Sequence, residues 1–190
     1  DNGVQAAEGD PAISATINLT AGAEPTETAG NPGADQDDAN EDNGDMTVDF
    51  GFIPMMELGS TVFYDQDGDG VQDPTNPLEG GIAGVTVNLY DDMGMLITST
   101  MTDADGNYFF GMLPPGDYQV GVVPSGDASE SSPGESGADD DIDGTDDGVQ
   151  MADGDEAFSP IISLTPGMEP EDEAYQGGTQ DDANEANGNM

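Results

Sequence analysis

Short runs of apolar residues, separated by turn-forming residues, recur along this chain of 190 residues. Apolar and other side chains alternate with a period of two from Val85 to Tyr90 and again from Tyr118 to Val123, which is typical of half-buried β-strands. No stretch keeps the helical period of 3.6 residues between capping residues. The runs that predict strands are Ile13–Leu19, Thr47–Phe52, Ser60–Tyr64, Gly84–Tyr90, Met95–Met101, Tyr108–Phe110, Tyr118–Val123 and Ile161–Leu164. With Gly, Asp and Pro turns between them, these runs predict an all-β fold, an antiparallel, immunoglobulin-like β-sandwich.

The beginning and the end of the chain are copies of each other. The matched blocks are Asp1–Gln5 with Asp146–Gln150, Ile17–Thr20 with Ile162–Thr165, and Gln36–Asn40 with Gln180–Asn184. We therefore predict tandem repeats with a period of about 144 residues, in which 1–53 is the C-terminal part of a preceding repeat and 54–190 is a nearly complete second repeat. The alternative is two unequal domains that share a loop. A short, stiff joint is expected near Ile53–Glu57, because this stretch contains a Pro and is not rich in Gly or Ser.

Charge changes this picture, because the chain has 42 acidic residues and no Lys, Arg or His. No carboxylate can pair with a basic side chain, so either the metal-free chain is disordered or cations from solution replace the missing positive charges. The same charge excludes nucleic acid and anionic membranes as partners. No apolar run approaches the roughly 18 residues of a membrane-spanning helix, so membrane insertion is not expected.

Residue types also limit the chemistry. The chain has no Cys and no His, which makes thiolate, zinc, copper and iron sites unexpected and leaves hard, oxygen-ligated ions. No Cys, His or Lys can act as nucleophile, base or electrostatic clamp, so we do not expect an enzyme. Among such ions, Ca²⁺ is plentiful outside the cell and scarce in the cytosol, so a fold that used Ca²⁺ would be expected at an extracellular location.

The strongest candidate site is the acidic, Gly-rich loop that begins at Asp65. Carboxylates stand at positions 1, 3, 5 and 9 of a calcium loop, and Gly occupies position 6, where such a loop turns sharply. The residues concerned are Asp65, Asp67, Asp69, Asp73 and Gly70. Without a counter-ion these carboxylates would repel one another, which favours Ca²⁺ over the alternative of a solvated acidic turn.

Three further residues complete or depart from the pattern of this loop. Val71 occupies position 7, where the backbone carbonyl is a ligand, and its side chain is expected to point into the core. Asn76 stands at position 12, where calcium loops usually carry a bidentate Glu. Glu79 lies three residues further along and is the candidate to replace it through a looped path.

Two weaker candidate calcium sites follow. The first consists of Asp103, Asp105 and Asn107, between two predicted strands, and its alternative is an ordinary hairpin turn. The second consists of Asp139, Asp141, Asp143 and Asp146, and its alternative is a solvated run of charge.

Four motifs in order resemble the SdrD B-like repeats, the calcium-binding B repeats of bacterial cell-surface adhesins that are related to the collagen-adhesin B-type fold. They are Gly59–Asp73, Gly81–Asp91, Thr102–Phe110 and Leu113–Val120. The resemblance covers about Leu58 to Met190, with Asp1–Ile53 as the tail of a preceding copy. It implies a prealbumin-like β-sandwich, Ca²⁺ in the loop Asp65–Asp73, and a rod or stalk role at the cell surface. Some relatives carry Lys–Asn cross-links, which this chain cannot form because it has no Lys.

The expected function is a structural module of an extracellular, calcium-stabilised surface stalk or filament built from such repeats. Its expected partner is a neighbouring repeat or subunit. If Met190 is a true terminus, the last domain lacks the strand equivalent to Thr47–Phe52, and a neighbouring subunit is expected to donate that strand. If Met190 is not a terminus, the next repeat is expected to follow covalently.

Two alternatives stay open at this stage. An adhesin module would bind a host or matrix protein or a glycan through an exposed apolar patch. The candidate patch residues are Met55, Met56, Met93 and Met95, which would otherwise fill gaps in the core. An extracellular calcium reservoir would bind many ions weakly and independently, without a change in fold.

Overall fold

A computed structural model describes residues 3–7, 10–22, 48–73, 75–126, 128, 130–132, 146, 148–168 and 188–189. The chain divides into two compact units, Asp1–Ile53 and Pro54–Met190. Whether these units are successive repeats of one array stays a prediction.

In the first unit, strand β1 (Gly3–Val4) pairs antiparallel with β2 (Ile13–Ser14). The predicted strand Ile13–Leu19 is therefore too long, since its later residues lie outside a strand. The described part of Thr47–Phe52 also forms no strand, and its aromatic side chains are exposed. In both places alternating residues lack a neighbouring strand among the described residues, and pairing is what stabilises an extended chain.

The second unit contains two larger sheets. Its described strands are β3 (Met56–Thr61), β4 (Thr86–Asp91), β5 (Leu96–Met101), β6 (Asn107–Leu113), β7 (Gly116–Val123), β8 (Val149–Gln150), β9 (Ala157–Phe158), β10 (Ile162–Leu164) and β11 (Gly188–Asn189). One sheet has the order β5-β4-β7-β9-β8, with β10 also paired to β7, and the other has the order β11-β3-β6. The pairs are antiparallel except β11–β3, which is parallel.

Side chains from both larger sheets form one core, which confirms the predicted all-β sandwich. The core residues are Met56, Leu58, Val87, Leu89, Phe110, Leu113, Tyr118, Val120, Ile162 and Leu164. Each fully buried side chain of this kind stabilises the fold by about 1.5–3 kcal/mol. The described residues contain no helix.

Strand β3 begins earlier than predicted, within the expected joint Ile53–Glu57. Met56 is fully buried and anchors this strand in the core, so its suggested place in an exposed patch is wrong. Met93 and Met95, in contrast, are exposed beside β5.

The chain that follows β3 is fixed by three backbone hydrogen bonds, which close the base of the acidic loop. Val62 donates its N–H to the carbonyl of Gly106 at 2.9 Å, and the Ile82 N–H donates to the carbonyl of Val62 at 2.7 Å. The Tyr64 N–H donates to the carbonyl of Gly80 at 3.1 Å. The loop from Asp65 to Glu79 therefore starts and ends at neighbouring positions.

Candidate metal centre

Three carboxylates of the acidic loop converge on one point. One oxygen each of Asp65, Asp67 and Glu79 lie within 4.8 Å of one another. Glu79 is only 3% exposed, and the chain contains no basic side chain that could neutralise it. A buried carboxylate beside two others is costly unless a cation compensates for it. The donors are all hard oxygen atoms, so the residues present fit Ca²⁺ or Mg²⁺.

The Asp65 carboxylate organises the start of the loop. It accepts the N–H of Gly68 at 2.7 Å and the N–H of Gly70 at 2.9 Å, and both glycines have positive φ angles of 74° and 84°. Burial raises the pKa of Asp65, but hydrogen bonds from Gly70, Gly68 and Asp69 together outweigh burial and hold that pKa below its ordinary value. The loop thus keeps Asp65 ionised, as a metal ligand must be.

Asp67 shows the opposite electrostatic effect. The negative charge of Asp69 raises its pKa most, followed by burial and by the charges of Glu79 and Asp65. Proton uptake is the way in which a carboxylate near like charges relieves repulsion when no cation is bound. A divalent cation between these carboxylates would relieve the same repulsion without a proton.

Glu79 is positioned by residues of its own loop. The Asn76 side-chain amide donates to Oε1 of Glu79 at 2.7 Å, and the backbone N–H of Asp73 donates to Oε2 at 2.8 Å. Gln72 donates its side-chain amide to the Glu79 carbonyl at 3.0 Å. The structure therefore places the Glu79 carboxylate beside those of Asp65 and Asp67. Asn76 thus holds the carboxylate of Glu79, the residue predicted to replace the usual position-12 Glu.

Three other predicted ligands of this loop have different surroundings. Asp69 accepts the backbone N–H of Val71 at 2.9 Å. Asp73 accepts the hydroxyl of Thr75 at 2.7 Å and its N–H at 2.8 Å, and these bonds lower the pKa of Asp73. Neither carboxylate belongs to the converging group of three. The expectation that the side chain of Val71 enters the core is wrong, because this side chain is 39% exposed. The next buried hydrophobic residue along the chain is Ile82.

The second predicted site forms a tight turn between β5 and β6. The carboxylate of Asp103 accepts the N–H of Asp105 at 2.9 Å and the N–H of Asn107 at 3.0 Å. Hydrogen bonds from Asn107 first and Asp105 second lower the pKa of Asp103. Asn107 also accepts the Thr61 hydroxyl at 2.9 Å. These bonds account for the turn, and calcium at this position stays a prediction.

One member of the third predicted site lies against the first loop. The backbone N–H of Asp146 donates to the carbonyl of Gly70 at 2.7 Å, and its carboxylate accepts the Ser132 hydroxyl at 2.8 Å. A hydrogen bond from Ser132 also contributes to lowering the pKa of Asp65. The other members of the third site, Asp139, Asp141 and Asp143, lie outside the described residues.

Sequence reasoning missed a polar group on the outer face of the six-stranded sheet. Glu156 accepts the side-chain amide of Asn88 at 2.8 Å and the hydroxyl of Tyr90 at 2.9 Å. The carboxylate lies directly over Gly121, where a Cβ atom would come within 2.2 Å of it. No local pattern distinguishes this single Glu from its many acidic neighbours.

The fold and the loop define a small β-sandwich module with a candidate oxygen-ligated cation site. The SdrD B-like domain family matches residues 56–159, more than half of the chain, and the chain belongs to this family. None of the described residues forms a helix long and apolar enough to cross a membrane.

Several staphylococcal proteins are similar to this chain. A fibrinogen-binding protein of Staphylococcus epidermidis is 39% identical over 120 residues, which cover 62% of the chain and 10% of the relative. Serine-aspartate repeat-containing protein E of Staphylococcus aureus is 39% identical over 115 residues, 55% of the chain and 10% of the relative. Serine-aspartate repeat-containing protein I of Staphylococcus saprophyticus is 48% identical over 83 residues, 43% of the chain and 4% of the relative. The match thus spans a tenth or less of the length of each of these relatives.

Proposed function

We propose that this chain is a structural module of an extracellular, calcium-stabilised stalk or filament at the cell surface, built from SdrD B-like repeats. The observation that carries the proposal is the convergence of Asp65, Asp67 and the buried Glu79 in a chain without any basic residue. The similarity to staphylococcal proteins in which such a domain is a small part supports a role as one module among several.

Binding of Ca²⁺ would couple the two ends of the acidic loop. Asp65 follows the extension of β3. Glu79 precedes Gly80 and Ile82, which form backbone hydrogen bonds with Tyr64 and Val62 of that extension. An ion held by both carboxylates would therefore cross-link the chain on either side of the loop. Such a cross-link would stiffen the module where a Lys-based bond cannot form, and withdrawal of calcium would soften it.

Thermal unfolding followed by circular dichroism tests this proposal at fixed ionic strength. With calcium in about hundredfold excess over its dissociation constant, each site should stabilise the folded state by about 2.7 kcal/mol, which excess EDTA should remove. The variant Glu79→Gln should lose most of the calcium effect, while Glu130→Gln, an exposed position, should keep it. An equal melting temperature of the unmodified protein in calcium and EDTA would refute the calcium proposal.

The second candidate function is an adhesin module that binds a host or matrix protein. It is supported by the similarity to a protein named for fibrinogen binding, and by the apolar side chains that are exposed around β5. Surface plasmon resonance with immobilised fibrinogen separates the two candidates. Saturable binding would favour the adhesin, and its absence together with a calcium-dependent melt would favour the stalk.

A further inference from the structure

Strand β5 forms an open edge of the six-stranded sheet. It pairs with β4 on one side, and no strand pairs with its other side among the described residues. Leu96, Ile97 and Met101 are 56%, 50% and 62% exposed on this strand. Natural proteins usually protect an exposed edge with charged residues, Pro or a covering segment, because an open edge can pair with another chain. Residues 93–102 contain no charged residue and no Pro.

Backbone hydrogen bonds show which groups of β5 face the open side. The Thr102 N–H donates to the carbonyl of Val85 at 2.9 Å, and the Thr102 carbonyl accepts the N–H of Gly84 at 3.0 Å. Thr102 therefore presents its backbone groups to the β4 side. Because the direction of these groups alternates along a strand, those of Met101 and Ser99 face the open side.

Charge around this edge indicates what kind of chain would pair with it. The uncharged stretch is bounded by Asp91 and Asp92 at one end and by Asp103 and Asp105 at the other. A second copy of the chain would bring a further net charge of -42 against these ends, and like charges repel. A segment with basic residues at its two ends would meet opposite charge at both.

We propose that the free edge of β5 binds an extended segment of another protein as an added strand. The segment carries alternating apolar and hydroxyl-bearing residues in its centre and Lys or Arg at its ends. Hydrogen bonds to Ser99 and Met101 supply the main-chain pairing, and the exposed Leu96 and Ile97 offer apolar contact. This inference does not involve the carboxylates of the acidic loop. It uses the charge of Asp103 and Asp105, which also belong to the second predicted calcium site, so peptide binding is measured in EDTA.

The probe for the test is a synthetic peptide of alternating threonine and valine with a pair of lysines at each end. Fluorescence anisotropy should show saturable binding that weakens as salt rises from about 0.05 to 0.5 M, since screening shortens the reach of the end charges. Hydrogen exchange of the Ser99 and Met101 amides should slow by about tenfold or more when the peptide is bound. A matched peptide with glutamates in place of the lysines should not bind.

Two substitutions at one position separate main-chain pairing from side-chain contact. Met101→Pro removes an outward N–H but leaves the β4 ladder intact, as Pro is tolerated where an edge N–H faces solvent. We expect it to weaken peptide binding by about tenfold, whereas Met101→Ser keeps the N–H and should lose less. Peptide binding without slower exchange at Ser99 and Met101 in the unmodified protein would overturn the proposal. So would self-association of the protein through this edge in place of peptide binding.

Discussion

Gly81 lies directly against Gly106, so that a Cβ atom on Gly106 would come within 2.5 Å of the Cα of Gly81. A Cβ atom on Gly81 would in turn lie 1.7 Å from the carbonyl oxygen of Asp105. Two backbone segments can approach so closely only where neither carries a side chain. This contact joins the end of the calcium-loop candidate, just after Glu79, to the turn between β5 and β6.

Gly81→Ala should therefore destabilise the protein strongly. The new methyl group meets backbone atoms, which cannot move aside as the end of a flexible side chain can, so we expect a loss of about 3 kcal/mol in the free energy of unfolding. Gly80→Ala is the matched control, because a Cβ atom at Gly80 has nothing within 4 Å. Urea unfolding of both variants in calcium measures the difference. Equal midpoints for the two variants would contradict the close contact.

Asn76→Ala should weaken calcium binding without removing a carboxylate. Asn76 donates to the buried oxygen Oε1 of Glu79, and groups that orient a metal ligand typically contribute tenfold to a hundredfold in affinity. We expect a loss of about tenfold or more by isothermal titration with Ca²⁺. Gln66→Ala, an exposed change in the same loop, should leave the affinity unchanged. An unchanged affinity of Asn76→Ala would mean that Glu79 is held in place without Asn76 or does not bind the ion.

Much of the fold follows from the sequence, since strands with strong alternation occur close to where they were expected. The pattern at Val87 and Leu89 identifies a strand whose inner residues are fully buried. Strands of only two residues cannot be predicted from alternation, because two residues are too few to show a period of two. Strands β8 and β9 are of this kind, and they exist because they pair with each other and, through β9, with β7.

The candidate site was only partly predictable, because spacing places carboxylates along the chain but does not fix their directions. Asp65 and Asp67 fall where the calcium-loop pattern places them, and Glu79 reaches them through the longer path. Asp69 and Asp73 match the same pattern, yet their oxygens accept hydrogen bonds from Val71 and Thr75. Asp65 also accepts backbone N–H groups and still belongs to the converging group, so these local bonds do not by themselves separate the two kinds of Asp. Position in a motif does not separate them either.

Asp69→Asn should lower the pKa of Asp67 in the metal-free protein. The charge of Asp69 is the largest cause that raises this pKa above its ordinary value of 3.8, and the substitution removes that charge while preserving shape. Carbon-detected NMR titration of the carboxyl groups in EDTA measures the shift directly. Asp153→Asn, an exposed change far along the chain, is the control. No change at Asp67 would show that its carboxylate lies away from Asp69.

The raised pKa of Asp67 also fixes the sign of its effect on stability. A folded-state pKa above the unfolded value means that the folded protein holds the proton more tightly. The contribution of Asp67 is therefore favourable at low pH and is lost as the pH rises through its folded pKa. The pKa values of Asp65 and Asp73 are lowered, so these two residues stabilise the folded protein at higher pH. Their contribution is lost as the pH falls through their folded pKa values. Replacing Asp69 should weaken the Asp67 contribution in EDTA.

The Tyr90–Glu156 contact predicts a loss of stability at alkaline pH. Burial is the first cause that raises the pKa of Tyr90 above its ordinary value of 10.0, and the hydrogen bond to Glu156 and its charge add to it. A folded-state pKa above the unfolded one gives stability that is complete below the unfolded pKa and is lost as the pH rises through the folded pKa. The protein should therefore become less stable above about pH 10.

Glu156→Gln should lower the pKa of Tyr90 but leave it above the ordinary value, because the substitution removes the charge and not the burial. Tyrosinate absorbance as a function of pH measures this titration, and subtraction of the curve for Tyr90→Phe isolates it from the other four of the five Tyr residues. Asp155→Asn, next to Glu156 but exposed, is the matched control and should leave the curve in place. A Tyr90 titration that is the same in the unmodified protein and in Glu156→Gln would mean that the two side chains are not in contact.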